Sequence, residues 1–573
     1  MASAGEFRGA SPAQTDGFGR QATPSPVLGR LNNRLSALEI QSRCLDPILM
    51  LPFELLEAIF KLALPSLDIG YWNREGCHSY MAALYTLRLV STAWKDMVDR
   101  MPFLWAVISS TFPGDVNRTS LIRSGSSSLV IYFPEIDRQT DSDFREFLPI
   151  IKPHLQRCSF LALWLNSDFF VDEVPWPSLQ RLATLKIFVD GWLADNITLV
   201  KNIEIPDEIL ENIRDIDLGG EIPVDWARTL GPLRNLRALT LDGVSDNPVD
   251  QEQIFSVLLA SPGIETLVIS RIEIQDPPSN LPPSTEPISL PELRSVTLKT
   301  GGLFTNNLLR RIQPPPDMAK LEINPINVPP RFATSFWEET MAPWVPQVQQ
   351  LYNNCSERAV DLSPLTGCFL QAYPEYSLSI KFKGLSMTAA LRWIHGSISA
   401  VDEGPGGLRI QAEHRAFEGN EILAIIQTIQ GLTEIMVEPA YDLSRPQAGA
   451  LLNVLGEPTA DSIGTPNPRP TFPALQKLIL HDWIWKLDDL MDMIQRRYST
   501  RSTGGQQVPD LMLDISPLWL RLLPGIQREI ISFCTVKTFR ELDGVKEVRM
   551  GGAMEDGSLA VIWDEEESAP VWG

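Results

Sequence analysis

One six-residue phrase, apolar-x-x-apolar-x-apolar, recurs along most of this chain, and it restricts the possible folds more than any other feature. It occurs as Cys158-Ser159-Phe160-Leu161-Ala162-Leu163, Leu182-Ala183-Thr184-Leu185-Lys186-Ile187 and Ile213-Arg214-Asp215-Ile216-Asp217-Leu218. It returns as Leu236 to Leu241, Ile264 to Ile269, Leu293 to Leu298 and Met318 to Ile323. Successive starts lie 24, 31, 23, 28, 29 and 25 residues apart. The last two apolar positions are two apart, the period of one face of a β-strand. Helical or turn patterns separate the phrases: Gln251–Ala260 before Ser261-Pro262-Gly263, and Asn307–Ile312 before Pro314-Pro315-Pro316. The chain therefore predicts a repeated strand–turn–helix–turn unit, whose copies stack to bury a face that one unit leaves open. With 573 residues, 44% of them apolar, it is too long for one compact core and rich enough for extensive burial.

The spacing lies in or near that of leucine-rich repeats, which the phrase resembles. The ninth position, commonly Asn or Cys in such repeats, holds Val244, Ile272, Gly301 and Trp483. The resemblance therefore implies an irregular leucine-rich-repeat-like α/β solenoid over 119–550 without the buried Asn ladder; a generic α/β domain is the alternative. The register weakens at Phe332–Cys368, which holds Trp337, Trp344 and several prolines and reads as an irregular insertion. The phrase is recovered at Leu432–Val437, Leu475–Leu480 and Val508–Leu513, with Val545–Met550 as a last strand. Gly456–Pro473 reads as an exposed loop, and 551–573, with Asp564-Glu565-Glu566-Glu567, as an acidic solvated tail. Because the apolar positions of each strand face the core, the intervening ones face outward. Ala238, Thr240, Thr266, Val268, Ser295, Thr297, Lys320 and Glu322 are thus candidate contacts for a protein substrate.

The N-terminal end reads differently. Residues 1–30 are rich in Ser, Gly, Ala and Pro with no apolar h-region, and are expected to be a disordered leader without a secretory signal. In 31–47, Leu31, Leu35 and Leu38 recur at helical spacing; this amphipathic helix packs on the next module or self-associates. Residues 48–110 form a small helical module. Pro52 suits a first helical turn, and Leu55, Leu56, Ile59, Phe60 and Ala63 make a broad apolar stripe. A loop over Pro65–Ser79 precedes a second helix from near Met81, with Leu84, Leu87, Ser91 and Trp94 on one face; Trp105 follows Met101-Pro102 on a short turn. Some sixty residues make a thin core, so apolar surface is left over and marks a partner site. The alternative is that the helices simply cap the following domain.

Catalytic signatures are missing from the sequence. The six cysteines include no CxxC pair, and none of the five histidines sits in HExxH or at metal-ligand spacing. Neither a P-loop, a GxGxxG after a strand nor a GxSxG elbow occurs. No cofactor and no metal are expected. A net charge of −22 repels phosphate backbones and anionic lipid, so neither nucleic acid nor a membrane is an expected partner. No run of about 18 apolar residues occurs.

The module carries a resemblance. Leu51-Pro52-Phe53-Glu54-Leu55-Leu56, Leu87-Arg88-Leu89-Val90-Ser91-Thr92-Ala93-Trp94-Lys95 and Pro102-Phe103-Leu104-Trp105 together resemble the F-box. With the repeats, and with Arg123-Ser124-Gly125-Ser126-Ser127 after the module, the chain is similar to the F-box/leucine-rich-repeat-like proteins of basidiomycete fungi. That resemblance implies a non-catalytic, cytoplasmic or nuclear substrate-recognition subunit of an SCF-type cullin–RING ubiquitin ligase. The F-box docks on the Skp adaptor, and the C-terminal domain holds an unknown protein substrate. By position it implies adaptor contacts at Leu51, Pro52, Leu55, Ile59, Phe60, Leu87, Val90, Ser91, Trp94 and Trp105. Two other classes remain: a stand-alone interaction scaffold, and an enzyme with a site in Phe332–Cys368.

Overall fold

The recurring phrase forms strands, and the strands stack in chain order. In the computed structural model, β1 (Val107–Ser109), β2 (Leu129–Phe133), β3 (Cys158–Leu165), β4 (Thr184–Val189), β5 (Asp215–Gly220) and β6 (Ala238–Asp242) lie side by side, each parallel to the next. β7 (Val249–Asp250) and β9 (Ile274–Gln275) make a small pair of their own. The main sheet continues through β8 (Thr266–Ser270), β10 (Ser295–Lys299) and β11 (Lys320–Ile323), again parallel. The structure describes residues 51–65, 74–134, 140–165, 174–189, 204–220, 225–243, 248–275, 286–326, 339–355, 357–363, 367–373, 378–382, 387–398, 408–413, 424–426, 432–438, 449–456, 472, 474–481, 487–498, 509–516, 545–550, 561–564 and 571–572. The expected leader, the expected helix over 31–47 and Glu565–Glu567 lie outside them.

Chain order inverts once. β12 (Glu357–Ser363), β13 (Gly367–Tyr373) and β14 (Leu378–Phe382) form an antiparallel meander. β14 pairs with β11 and β12 pairs with β15 (Leu408–Glu413), both in parallel, so the meander is inserted backwards into the sheet. Phe332–Cys368 is therefore not merely irregular: its described part holds the helix Val345–Asn354, all of β12 and the start of β13. β16 (Leu432–Glu438), β17 (Lys477–His481), β18 (Leu511–Ser516) and β19 (Val545–Met550) resume the parallel order. β20 (Val561–Asp564) and β21 (Val571–Trp572) close the edge antiparallel, where a solvated tail was expected.

The helices in chain order are α1 (Phe53–Ala63), α2 (Arg74–Val90), α3 (Thr92–Asp99), α4 (Gly114–Arg123), α5 (Thr140–Ile151), α6 (Asp207–Leu210), α7 (Trp226–Leu230), α8 (Gln251–Leu259) and α9 (Gly302–Arg311), with further ones beyond. Every apolar phrase position whose side chain is described is at most 4% exposed. These positions share one continuous core with Ile254, Phe255 and Leu258 of α8 and Phe304, Leu308 and Leu309 of α9. Burying each such side chain contributes about 1.5–3 kcal/mol, which is what aligns the strands on one face.

Backbone groups in the turns are satisfied without an Asn ladder. Ahead of β4, β5, β6, β8 and β10 one carbonyl accepts two bonds from the next unit. Arg214 O takes the Arg237 and Ala238 N–H at 2.6 and 3.1 Å; Glu265 O takes those of Arg294 and Ser295 at 2.8 and 3.0 Å. Past the strands, Arg271 N–H reaches Lys299 O at 2.8 Å, and the buried Thr300 hydroxyl reaches Ile272 O at 3.2 Å. Two glycines let adjacent turns close up. Gly220 has φ +78°, and a Cβ there would lie 1.8 Å from Val189 O; one on Gly243 would lie 1.9 Å from Gly220 O. Side chains are excluded there by contact and, at Gly220, by backbone conformation as well.

The module boundary expected at 110/119 does not divide the fold. β1 belongs to the expected module and yet is the first strand of the sheet. The second helix starts at Arg74, so part of the Pro65–Ser79 loop is helical, and it stops at Val90, leaving α3 as a third helix.

Candidate functional site

Two surfaces qualify: the outer side of the helical module and the sheet face opposite the aliphatic core. The module is built around Trp105. Pro52 precedes α1, and the Ser91 hydroxyl accepts the Trp94 N–H at 3.1 Å, capping α3 and breaking it from α2. Leu56, Phe60 and Leu64 turn inward onto Leu84, Val98, Met101, Leu104 and Trp105. Phe60 meets Trp94 edge-on at 5.1 Å, and the Trp105 indole N–H donates to Val98 O at 2.9 Å. Asp99 ties α2 and α3 to α4: Arg88 reaches it at 2.9 Å and Arg123 at 2.8 Å, and Arg123 also lies 4.3 Å over the Trp105 ring. The same core runs on into Val107, Tyr132 and Ala162 of β1–β3. The helices do cap the sheet, on the side away from its aliphatic core.

Capping does not use up the apolar surface. Leu55 stays 52% exposed, Leu62 87%, Leu89 85% and Val90 57%. Leu55, Ala58, Ile59 and Leu62 recur on one side of α1 while Leu56, Phe60 and Leu64 bury the other, so the helix is apolar on two faces. Of the residues singled out from sequence, Pro52, Leu55 and Val90 are exposed, and Leu51, Ile59, Leu87, Ser91 and Trp94 are half-buried. Phe60 and Trp105 are internal, 0% and 1% exposed. Their place as contact residues is corrected: they hold the module's shape, because large rings are what fill a thin core. Leu62 and Leu89 were missed, although Leu62 lies seven residues after Leu55 on the same stripe.

On the sheet, the eight outward positions fall into two cross-strand rows. Ala238, Thr266, Ser295 and Lys320 are register partners in one row; Thr240, Val268, Thr297 and Glu322 in the next. Seven are half-buried; Thr297 is buried at 5%, correcting the expectation that it is accessible. The second row continues through Asp217 to Lys186, whose ammonium stands 3.7 Å from the carboxylate.

Burial raises the Asp217 pKa to about 6, against the pull of Lys186 and with a further push from Asp242. A carboxyl with a raised folded pKa carries a cost when ionised, so this cost is present at pH 7 and disappears as pH falls through about 6 towards the unfolded value of 3.8. Asp217→Asn is accordingly expected to stabilise the protein by about 1–3 kcal/mol at pH 7 and to change little at pH 4. Urea unfolding at both pH values tests this; a variant no more stable than the parent at pH 7 contradicts it.

No other chemistry gathers here. Among the described residues no group of three His, Cys, Asp or Glu is arranged to hold a metal ion, and no helix is long and apolar enough to cross a membrane. His154 sits beside Arg157; burial and that charge lower its pKa. The described part of 332–368 supplies core: Trp344 is fully buried and donates to Leu309 O at 3.1 Å, and Gln347 donates to Pro315 O at 3.0 Å. Compared with protein-family models and with curated proteins, the chain matches none.

Proposed function

We propose that this protein is the substrate-recognition subunit of an SCF-type cullin–RING ubiquitin ligase. It docks an Skp adaptor through the outer side of α1 and the α2–α3 junction, and holds a protein substrate on the open face of an irregular leucine-rich-repeat-like solenoid. The carrying observation is the apolar side of a helical module that remains uncovered although its other side is anchored on the sheet. Exposed apolar surface of this kind marks an interaction site, and the F-box-like residues of that segment name the partner class. The accessible contacts are Pro52, Leu55, Leu62, Leu89 and Val90, flanked by Ile59 and Trp94. The protein acts by proximity: it raises the local concentration of its substrate near the charged ubiquitin-conjugating enzyme and makes or breaks no bond itself.

Capture of purified Skp adaptor by the full chain tests this reading. Leu55→Asp combined with Val90→Asp changes exposed side chains only and is expected to cut capture at least about tenfold, with the unfolding midpoint unchanged. A folded parent that captures no adaptor removes the ligase role and leaves the stand-alone scaffold.

A further inference from the structure

The shortest step in the repeat opens a cleft on the helix side of the sheet. The unit from Ile213 to Leu236 advances 23 residues, the next one 28. The shorter unit has room for five helical residues in α7, against nine in α8. At 1.5 Å per residue α8 outlasts its neighbour by about 6 Å. Its last turn is left uncovered: Ser256 is exposed, and Leu259 is 40% exposed. The cleft beside that turn holds about 530 Å³. Leu230, Leu259 and Ala260 give it apolar walls, and Gly231 adds no side chain at the end of α7. The polar side chains that stand exposed in it are Arg234 and Ser256; Gln253 keeps its amide oxygen buried.

Arg234 carries the charge of the cleft. Arg228 pairs with Glu204 at 3.2 Å and Arg237 with Glu265 at 2.9 Å, whereas Arg234 bonds only carbonyls among the described residues. Its Nη1 donates to Gly231 O and Leu233 O, both at 2.7 Å. That holds the guanidinium in place and leaves its remaining N–H groups for an anion. The acids of the same two helices are engaged elsewhere. Asp225 caps α7 and Asp250 caps α8, both at the N-terminal ends, and Glu252 lies 3.8 Å from Arg311. The Ser256 hydroxyl donates to Glu252 O at 2.7 Å, so its lone pairs stay open to accept an N–H.

We propose that this cleft binds the C-terminal residue of a partner polypeptide that ends in a bulky aliphatic side chain. Arg234 takes the terminal carboxylate, the Ser256 hydroxyl accepts the amide N–H of the same residue, and the aliphatic side chain lies against Leu230, Leu259 and Ala260. One amino-acid residue supplies all three complements, and the open side of the cleft lets the preceding chain leave. The site is on the helix side, not on the open face of the sheet, and stands whether or not the ligase reading does. Net charge does not account for such binding. At −22 the chain repels a free carboxylate, so a preference for acid over amide has to come from a local cation.

The test is fluorescence anisotropy on the full chain with the peptide Gly-Ser-Gly-Ser-Gly-Leu, labelled at its N-terminus, as the free acid and as the C-terminal amide. The parent is expected to bind the acid at least about tenfold more tightly than the amide. Arg234→Gln is expected to abolish that difference and to leave the amide's affinity unchanged, which a merely unfolded variant would not do. Leu259→Ser is expected to weaken both forms about threefold. Arg228→Gln, on the same helix end of the unit but outside the cleft, is expected to change neither by more than about twofold. A parent that binds the two forms equally, or binds neither, overturns the proposal. So does an equal loss in Arg228→Gln and Arg234→Gln. Undiminished binding of a peptide extended by Gly-Ser beyond the leucine overturns it too, because the terminus is then not what is read. Decanoate that displaces the labelled acid at lower concentration than the unlabelled peptide does assigns the cleft to a small molecule and overturns it likewise. Adaptor capture by Arg234→Gln is expected to equal that of the parent.

Discussion

Replacing Trp105 by Ala is expected to cost about 3–5 kcal/mol and to unfold the helical module together with the first strands of the sheet. The side chain is 1% exposed, and three losses coincide when it is removed. A cavity opens among Phe60, Leu84 and Leu104. The Val98 carbonyl loses the indole N–H that satisfies it at 2.9 Å. Arg88 and Arg123 lose the ring they lie over at 5.4 and 4.3 Å while still converging on Asp99. Trp105 also leads through Ala106 into β1, so its loss frees the edge on which β2 is paired. Chemical unfolding gives the energy, and amide exchange gives its reach, with protection falling in β1 and β2 as well as in α1–α3. Trp105→Phe keeps one aromatic ring but loses the donor and the volume of the second ring; a cost of about 1–3 kcal/mol, below that of Ala, is expected. If Trp105→Ala unfolds within about 1 kcal/mol of the parent, or if exchange rises in the helices alone, the module is a separable appendage and its anchoring on the sheet is wrong.

A comparable loss is expected at Gly220, for a different reason. Gly220→Ala places a Cβ 1.8 Å from Val189 O, a backbone atom with no rotamer by which to move aside. The backbone is also left-handed there, with φ +78°. Gly125 separates the two contributions. It too is left-handed, at φ +54°, yet a Cβ on it meets nothing within 4 Å. Gly125→Ala therefore reports the conformational cost alone, about 1 kcal/mol. Gly220→Ala adds displacement of β4 against β5 and is expected to reach about 3–5 kcal/mol. Equal midpoints for the two variants in urea would show that the close approach of the turns is relieved cheaply and does not limit how tightly they stack.

Legibility differed between the parts of this chain for identifiable reasons. The strands were readable because the i, i+2 alternation of Leu239 and Leu241, or of Leu267 and Ile269, is a local signal that no other element accommodates. Turn chemistry was less so. The missing Asn positions pointed to an irregular solenoid but not to how its turns are satisfied; paired backbone bonds and the contact between Gly220 and Gly243 do part of what asparagine side chains otherwise do. The meander was hidden although β13 and β14 carry the same alternation, at Cys368 and Leu370 and at Leu378 and Ile380, because whether a strand joins a sheet forwards or backwards depends on its neighbours.

The candidate surfaces show the same division. Leu55 and Leu56, or Leu84 and Leu89, are alike in sequence; burial is non-directional, so composition says that some must be covered without saying which. The Lys186–Asp217–Asp242 grouping joins residues from three strands, and nothing local to any of them announces the other two.

By itself, then, the sequence determined that the chain alternates strands and helices around an aliphatic face, that its N-terminal helices hold more apolar surface than they can hide, and that no catalytic motif accompanies them. Those properties follow from periodicity and composition, which act residue by residue. The tertiary structure alone decided which leucines remain on the surface, where the strand order inverts and which charged groups meet across the strands. Each of these depends on contacts between segments far apart in the chain, whose choice is made by packing and register.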